Sequence, residues 1–274
     1  MTNPLLQNLR LPGETVRLPS EAQTYDDTVV SADVLSLGEL HVYPMTTYEE
    51  ILMKTPDLLY TGQAIVQTFA RCIPQINDPL RMYSQDVNFL LIALRKSTYG
   101  DDLKLEYKHT CDEATDQTYD FRLTDLIASA KSIEGHFGIT QSTFEMPNKQ
   151  IVTVRPFLLS DVIEASQRAT AGNVSDMTDL EFVNAVKDMV ILGALPAIVS
   201  VDSVTNTDHI REWLESLPSP WIKLLGTRIE EINSFGADLK VHAKCKDCGE
   251  LIELTIPLNP QSFFTLPSEP VIVN

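Results

Sequence analysis

The apolar positions along this chain change period several times, and each change marks an element. Residues 84–97 carry the strongest helical pattern. Val87, Leu90, Leu91 and Leu94 fall at i, i+3, i+4 and i+7, the spacing that lines one buried helix face. Ser84 reads as its N-cap and Gly100 as its stop. Upstream, Thr47-Tyr48-Glu49-Glu50 reads as a capping box that opens a short helix ending before Pro56. Residues 62–73 place Ile65, Phe69 and Cys72 on one face, which predicts a buried structural thiol at Cys72. Downstream, Ser160 caps a helix reaching about Thr170, and Thr178-Asp179-Leu180-Glu181 forms a second capping box. Asp208 starts a helix burying Ile210, Trp213, Leu214 and Leu217. Pro220 takes the first position of the next, whose stripe is Trp221, Leu224, Leu225, Ile229 and Ile232, with Gly236 as its stop.

Alternation marks the strands. Leu103, Leu105 and Tyr107 form one, with residues 119–123 as its hairpin partner. Residues 151–154 form another, and residues 239–244 and 250–256 make a second hairpin. The pattern predicts an α+β, helix-rich fold of two similar halves, residues 46–150 and 151–274. Each half runs from helices into a β-hairpin with a cysteine turn. Residues 103–108 followed by Cys111 resemble residues 239–244 followed by Cys245; internal duplication and a chance match of short strands both account for this. Residues 1–45 read as an extended N-terminal arm in which Arg10-Leu11-Pro12 recurs as Arg17-Leu18-Pro19. Such an arm is either a linker or a segment that folds on a neighbouring chain, and removing residues 1–20 is expected to leave a folded protein that is poorly incorporated into its assembly.

Composition narrows the function. Hydrophobic residues make up 43%, enough for a substantial core, and the net charge is −17. That sign disfavours sequence-independent nucleic-acid binding, which needs cations against phosphate, and basic-cluster binding to anionic lipid. The longest apolar run, residues 189–199, is interrupted by Gly193 and Pro196 and is short of the about 20 residues of a membrane span. The first residues lack the basic start and apolar stretch of a secretory signal, so a disulfide framework is not expected. Catalytic patterns of the G-x-S-x-G, H-E-x-x-H, P-loop and G-x-G-x-x-G kinds are absent, and the chain reads as a non-enzyme.

The sharpest chemical motif is Cys245-Lys246-Asp247-Cys248-Gly249. Two thiolates at this spacing suit one tetrahedral Zn²⁺, and a following glycine permits a tight turn. Between two strands this is a zinc knuckle, which supplies half a site. Cys111 and His109 in the first hairpin are the candidates for the other half, with His242 in reserve. A knuckle that has lost its ion is the alternative, since Ala114 stands where a matching first-half Cys-x-x-Cys would place its second cysteine. A redox pair is a third reading, but it would open a helix, whereas a strand is predicted to follow.

Several segments in order resemble the T4-like bacteriophage baseplate protein family. They are Leu18-Pro19-Ser20; residues 42–50 (VYPMTTYEE); residues 54–59 (KTPDLL) with Gly62; Cys72-Ile73-Pro74; residues 86–95 (DVNFLLIALR); Ser97-Thr98-Tyr99-Gly100; and the knuckle followed by Asn259 and Phe263-Phe264. The resemblance covers most of the chain, with little from residues 124–235. It implies a structural component of a contractile-tail baseplate, in or near the hub, made in the host cytoplasm and built into the virion. Its partners would be other baseplate and tail proteins, with several copies in a symmetric assembly, no nucleic acid and no membrane anchor. A hub assembly chaperone missing from the finished particle is the alternative, and a zinc-ribbon nucleic-acid module a second. Family members often carry a cysteine knuckle in each half; here Cys111-Asp112-Glu113-Ala114 departs from that pattern, which brings His109 into the ligand set.

Overall fold

The structure is a computed structural model that describes residues 13–109, 116–133, 142–170, 191, 193–266 and 269–273. Its elements run β1 (Glu14–Arg17), α1 (Ala32–Leu37), β2 (Glu39–Val42), α2 (Thr47–Met53), α3 (Pro56–Tyr60), α4 (Gln63–Cys72), α5 (Ser84–Tyr99), β3 (Asp102–Lys108), β4 (Asp116–Arg122), α6 (Leu123–Ala128), β5 (Ser142–Glu145), β6 (Ile151–Val154), α7 (Leu159–Thr170), β7 (Ile198–Val201), α8 (Thr207–Ser216), α9 (Ser219–Ile232), β8 (Lys240–Lys244), β9 (Leu251–Thr255), α10 (Pro260–Phe263) and β10 (Val271–Ile272). The chain is therefore mixed α+β. Its small sheets are β1–β2, β10–β3–β4, β5–β6–β7 and β8–β9, all antiparallel except the β10–β3 pair.

Helix α5 lies at the centre. The sequence predicts one apolar face, but Val87, Phe89, Leu90, Leu91, Ile92, Ala93 and Leu94 are all buried, so the helix is enclosed on every side. Two ionisable residues are enclosed with it. Asp86 accepts bonds from Ser20 N, the Ser20 hydroxyl and the Tyr25 hydroxyl. Burial is the largest cause pushing its carboxyl up, to about 6, against those donors. Arg95 donates through Nη1 to the carbonyl oxygens of Phe263 and Thr265 and lies 5.1 Å from the Phe263 ring centroid. Burial pushes its guanidinium down to about 10, which leaves it charged at neutral pH. These two residues clasp the N-terminal loop and the C-terminal strap onto the same helix.

Residues 14–45 differ from the expected extended arm. They fold as β1, α1 and β2, and Val16, Leu18, Ala22, Val29, Val30, Val34, Leu40 and Val42 enter the main core. Apolar side chains at this density lose more by staying in water than the backbone loses by ordering against α5. Removing residues 1–20 would take away β1 and the Ser20 bonds to Asp86, so that truncation is not neutral to the fold. The arm residues before Gly13 lie outside the described residues.

The buried apolar residues do not group along the 150/151 boundary. One core joins residues from Val16 to Leu159 with Cys245, Ile252, Leu254, Ile256, Phe263, Phe264 and Val271. A second core, from Met146 to Ile232, holds Val152, Val154, Ile198, Val201, Ile210, Leu214, Leu225 and Ile229. The second core is thus set between the parts of the first. Tyr83, Ile133 and Phe235 pack at the junction, where Lys131 and Gly236 exchange backbone bonds of 2.9 and 2.8 Å. Helix α7 reaches back to the first core: the tip of Ile163 packs over Gly62, whose φ of 75° favours glycine.

Local signals shift by a residue or two. The capping box uses Thr46 and Glu49, one residue earlier than expected. The N-cap of α5 is Tyr83, without a side-chain bond, and Ser84 is its first helical residue. Helix α9 ends at Ile232 with Asn233 as its C-cap, ahead of the expected Gly236, and α8 is capped by Asn206 accepting from His209 N at 3.0 Å. The capping box expected at residues 178–181 lies outside the described residues.

Candidate metal centre

The two hairpins predicted to share an ion do meet. Strand β3 ends beside His109, and the β8–β9 turn carries Cys245 and Cys248. One ligand atom from each of these three residues falls within 4.8 Å of the others. Strands β8 and β9 pair from Lys240↔Thr255 to Lys244↔Leu251, so the turn is closed tightly. Gly249 N donates to the Cys245 carbonyl at 2.8 Å with φ at 76°, and Cys245 N donates to Glu250 O at 2.8 Å. That is the turn the Cys-x-x-Cys-Gly pattern predicts.

His109 Nδ1 lies 3.5 Å from Cys248 Sγ. A tetrahedral zinc with bonds of about 2.1 Å to nitrogen and 2.3 Å to sulfur requires a nitrogen–sulfur edge of about 3.6 Å. The pair is therefore already at ligand spacing. The other ring nitrogen, Nε2, faces the exposed Glu250 carboxylate at 3.7 Å, beyond hydrogen-bond distance. Cys245 is buried and Cys248 exposed. The Cys245 thiol is driven down to about 6, first by the backbone N–H of Cys248 and further by that of Asp247, with burial opposing. Donors aimed at sulfur favour the thiolate, the form that binds metal.

Gln117 on β4 completes the surroundings. It is 6% exposed, and its Nε2 donates to Cys245 Sγ at 3.7 Å and to Asp247 Oδ2. Its Oε1 accepts from Lys246 N at 2.7 Å and from the Tyr119 hydroxyl. Lys246 lies 5.4 Å above the Tyr119 ring and donates to Thr118 O at 2.6 Å. The sequence reading missed Gln117 because it started that strand at Tyr119. The available signal was an amide in phase with Tyr119, at an inward position of a strand where an apolar residue is expected.

Of the residues singled out from sequence, His109, Cys245 and Cys248 come together and could hold a metal ion. Cys111 lies outside the described residues. His242 does not join them: it sits on β8, exposed, with Nε2 3.8 Å from Glu253 Oε2. Cys72 is 2% exposed, and its thiol is pushed up to about 12 by burial and then by the charge of Glu49, as expected of a structural residue. Two aspartates cap local structure. Asp26 accepts from Thr28 N at 3.0 Å, and Asp101 accepts from Thr124 N at 2.7 Å.

No family model, curated protein or solved structure matches the chain. Among the described residues no helix is long and apolar enough to cross a membrane.

Proposed function

We propose that the protein is a structural subunit of a contractile phage tail baseplate, in or near the hub, acting through protein contacts during assembly. The observation that carries this reading is the ordered set of segments from Leu18 to Phe264 that resembles the T4-like baseplate family. Their roles in the fold agree with such a task. Thr46 and Glu49 start α2, Cys72 is a buried thiol, Asp86 and Arg95 anchor both ends of the chain on α5, and Phe263 and Phe264 close the core. These residues serve shape rather than bond-making. The knuckle fits the same purpose. A structural Zn²⁺ held by His109, Cys245 and Cys248, with Cys111 as fourth ligand, would tie two hairpins that are far apart in sequence. Two soft thiolates and an imidazole suit zinc.

Quantitative mass spectrometry of purified tails tests the role. A structural subunit is present at fixed stoichiometry after stringent washing. A protein needed for baseplates yet missing from finished particles is an assembly chaperone instead. A protein both absent and dispensable ends the baseplate reading. Metal analysis of the purified chain tests the ion: zinc at about one per chain is expected, with most of it lost in Cys248→Ser.

A further inference from the structure

Gln117 is a buried amide with all its bonding capacity used. A carboxamide offers two N–H donors and two acceptor lone pairs. Here Nε2 faces Cys245 Sγ and Asp247 Oδ2, while Oε1 faces Lys246 N and the Tyr119 hydroxyl. The orientation is forced. A backbone N–H can only donate, so Lys246 N must meet the oxygen. A carboxylate can only accept, so Asp247 must meet the nitrogen. An N–H is thereby committed to the sulfur of Cys245. The amide comes from β4, opposite Tyr107 of β3, whereas the thiolate comes from the β8–β9 turn. One side chain therefore carries the position of the first hairpin to a ligand on the second.

We infer that Gln117 is the positioning residue of the metal centre, holding Cys245 Sγ at its coordination position and drawing charge from the thiolate. This rests on the reading that His109, Cys245 and Cys248 bind a metal. Two consequences follow. The knuckle stays docked on the first hairpin without an ion, because Lys246, Asp247 and Cys245 are all gripped by the same amide. The ion then meets a thiolate already aimed, and losing such an orienting group typically lowers metal affinity about 10–100-fold.

The test uses the full purified chain, with Zn²⁺ affinity measured by competition against a chromophoric chelator and with Co²⁺ as a spectroscopic substitute. Gln117→Leu keeps the volume and removes every bond. Gln117→Glu keeps an acceptor but sets a carboxylate against the thiolate and Asp247. Tyr119→Phe removes a neighbouring bond without touching sulfur. Both Gln117 variants are expected to bind Zn²⁺ about 10–100-fold more weakly and to shift the thiolate-to-Co²⁺ charge-transfer band, while Tyr119→Phe leaves the band in place. If Gln117→Leu does not fold, Gln117→Glu is judged by the same criteria. Wild-type protein that takes up neither ion overturns the metal reading and this inference with it. Tight wild-type binding with unchanged affinity and an unchanged band in the Gln117 variants overturns this inference alone.

Discussion

Cys72 and Cys245 are equally buried, each 2% exposed, yet their thiols are driven apart, to about 12 and about 6. Cys72 lies at the end of α4, where burial and the charge of Glu49 both oppose a thiolate. Cys245 lies in a tight turn whose backbone N–H groups converge on its sulfur. Burial is the main cause at Cys72, whereas at Cys245 the backbone N–H groups of Cys248 and Asp247 and the neighbouring Cys248 and His109 side chains outweigh it. A buried cysteine is inert when only apolar groups and carboxylates surround it, and a ligand when the chain is folded to aim donors at it.

The sharpest way to break that comparison is with metal. Zinc at about a thousandfold over its Kd would add about 4 kcal/mol to the unfolding free energy. Cys245→Ala should abolish that gain and Cys72→Ala should keep it, as read by urea titration with and without zinc. Equal loss from both variants would erase the contrast.

Asp86 extends the comparison to a carboxyl raised by burial, as Cys72 is. Its proton is held more tightly in the fold than in the unfolded chain, with values of about 6 against 3.8. The resulting stabilisation is fully present below 3.8 and lost as pH rises through about 6, a change of about 3 kcal/mol. The stability of Asp86→Asn relative to wild type should therefore improve by that order between pH 4 and pH 7. A difference that does not vary with pH would count against the raised carboxyl.

Two smaller effects concern the thiols themselves. In metal-free protein at neutral pH, iodoacetamide should label the knuckle pair roughly a hundredfold faster than Cys72; comparable rates by peptide mass spectrometry would contradict the contrast. Cys72→Ala should cost about 1 kcal/mol through lost packing alone, with no change in zinc content.

Much of this was legible in the sequence where the signal is local. Periodicity found α4, α5, α8 and α9, and alternation found both hairpins. The capping box slipped by one because Thr46-x-x-Glu49 and Thr47-x-x-Glu50 match the pattern equally well; which threonine starts the helix depends on how the preceding chain enters. The enclosure of α5 was partly visible, since Ile92 lies opposite the face of Leu90 and Leu94, and Phe89 and Ala93 continue the apolar surface round one side. The burial of Asp86 and Arg95 was not visible, because their partners lie at residues 20, 25, 263 and 265. The same distance hid the true core boundary. At the candidate metal centre, His109, Cys245 and Cys248 could be read from residue type and hairpin ends. Gln117 showed only as an amide at an inward strand position; its partners could not be read, because they come from a turn distant in sequence.

The pairing of β10 with β3, and the grip of Arg95 on residues 263 and 265, bear on how the protein is made. A ribosome releases β3 and α5 long before the residues that cover them. Until residues 263–273 emerge, the growing chain holds an unfinished core and a buried cation without its acceptors. Contacts of such long sequence separation form late and slowly. A copy cut short before Phe263 would keep that surface exposed and leave Arg95 without the carbonyl oxygens of residues 263 and 265.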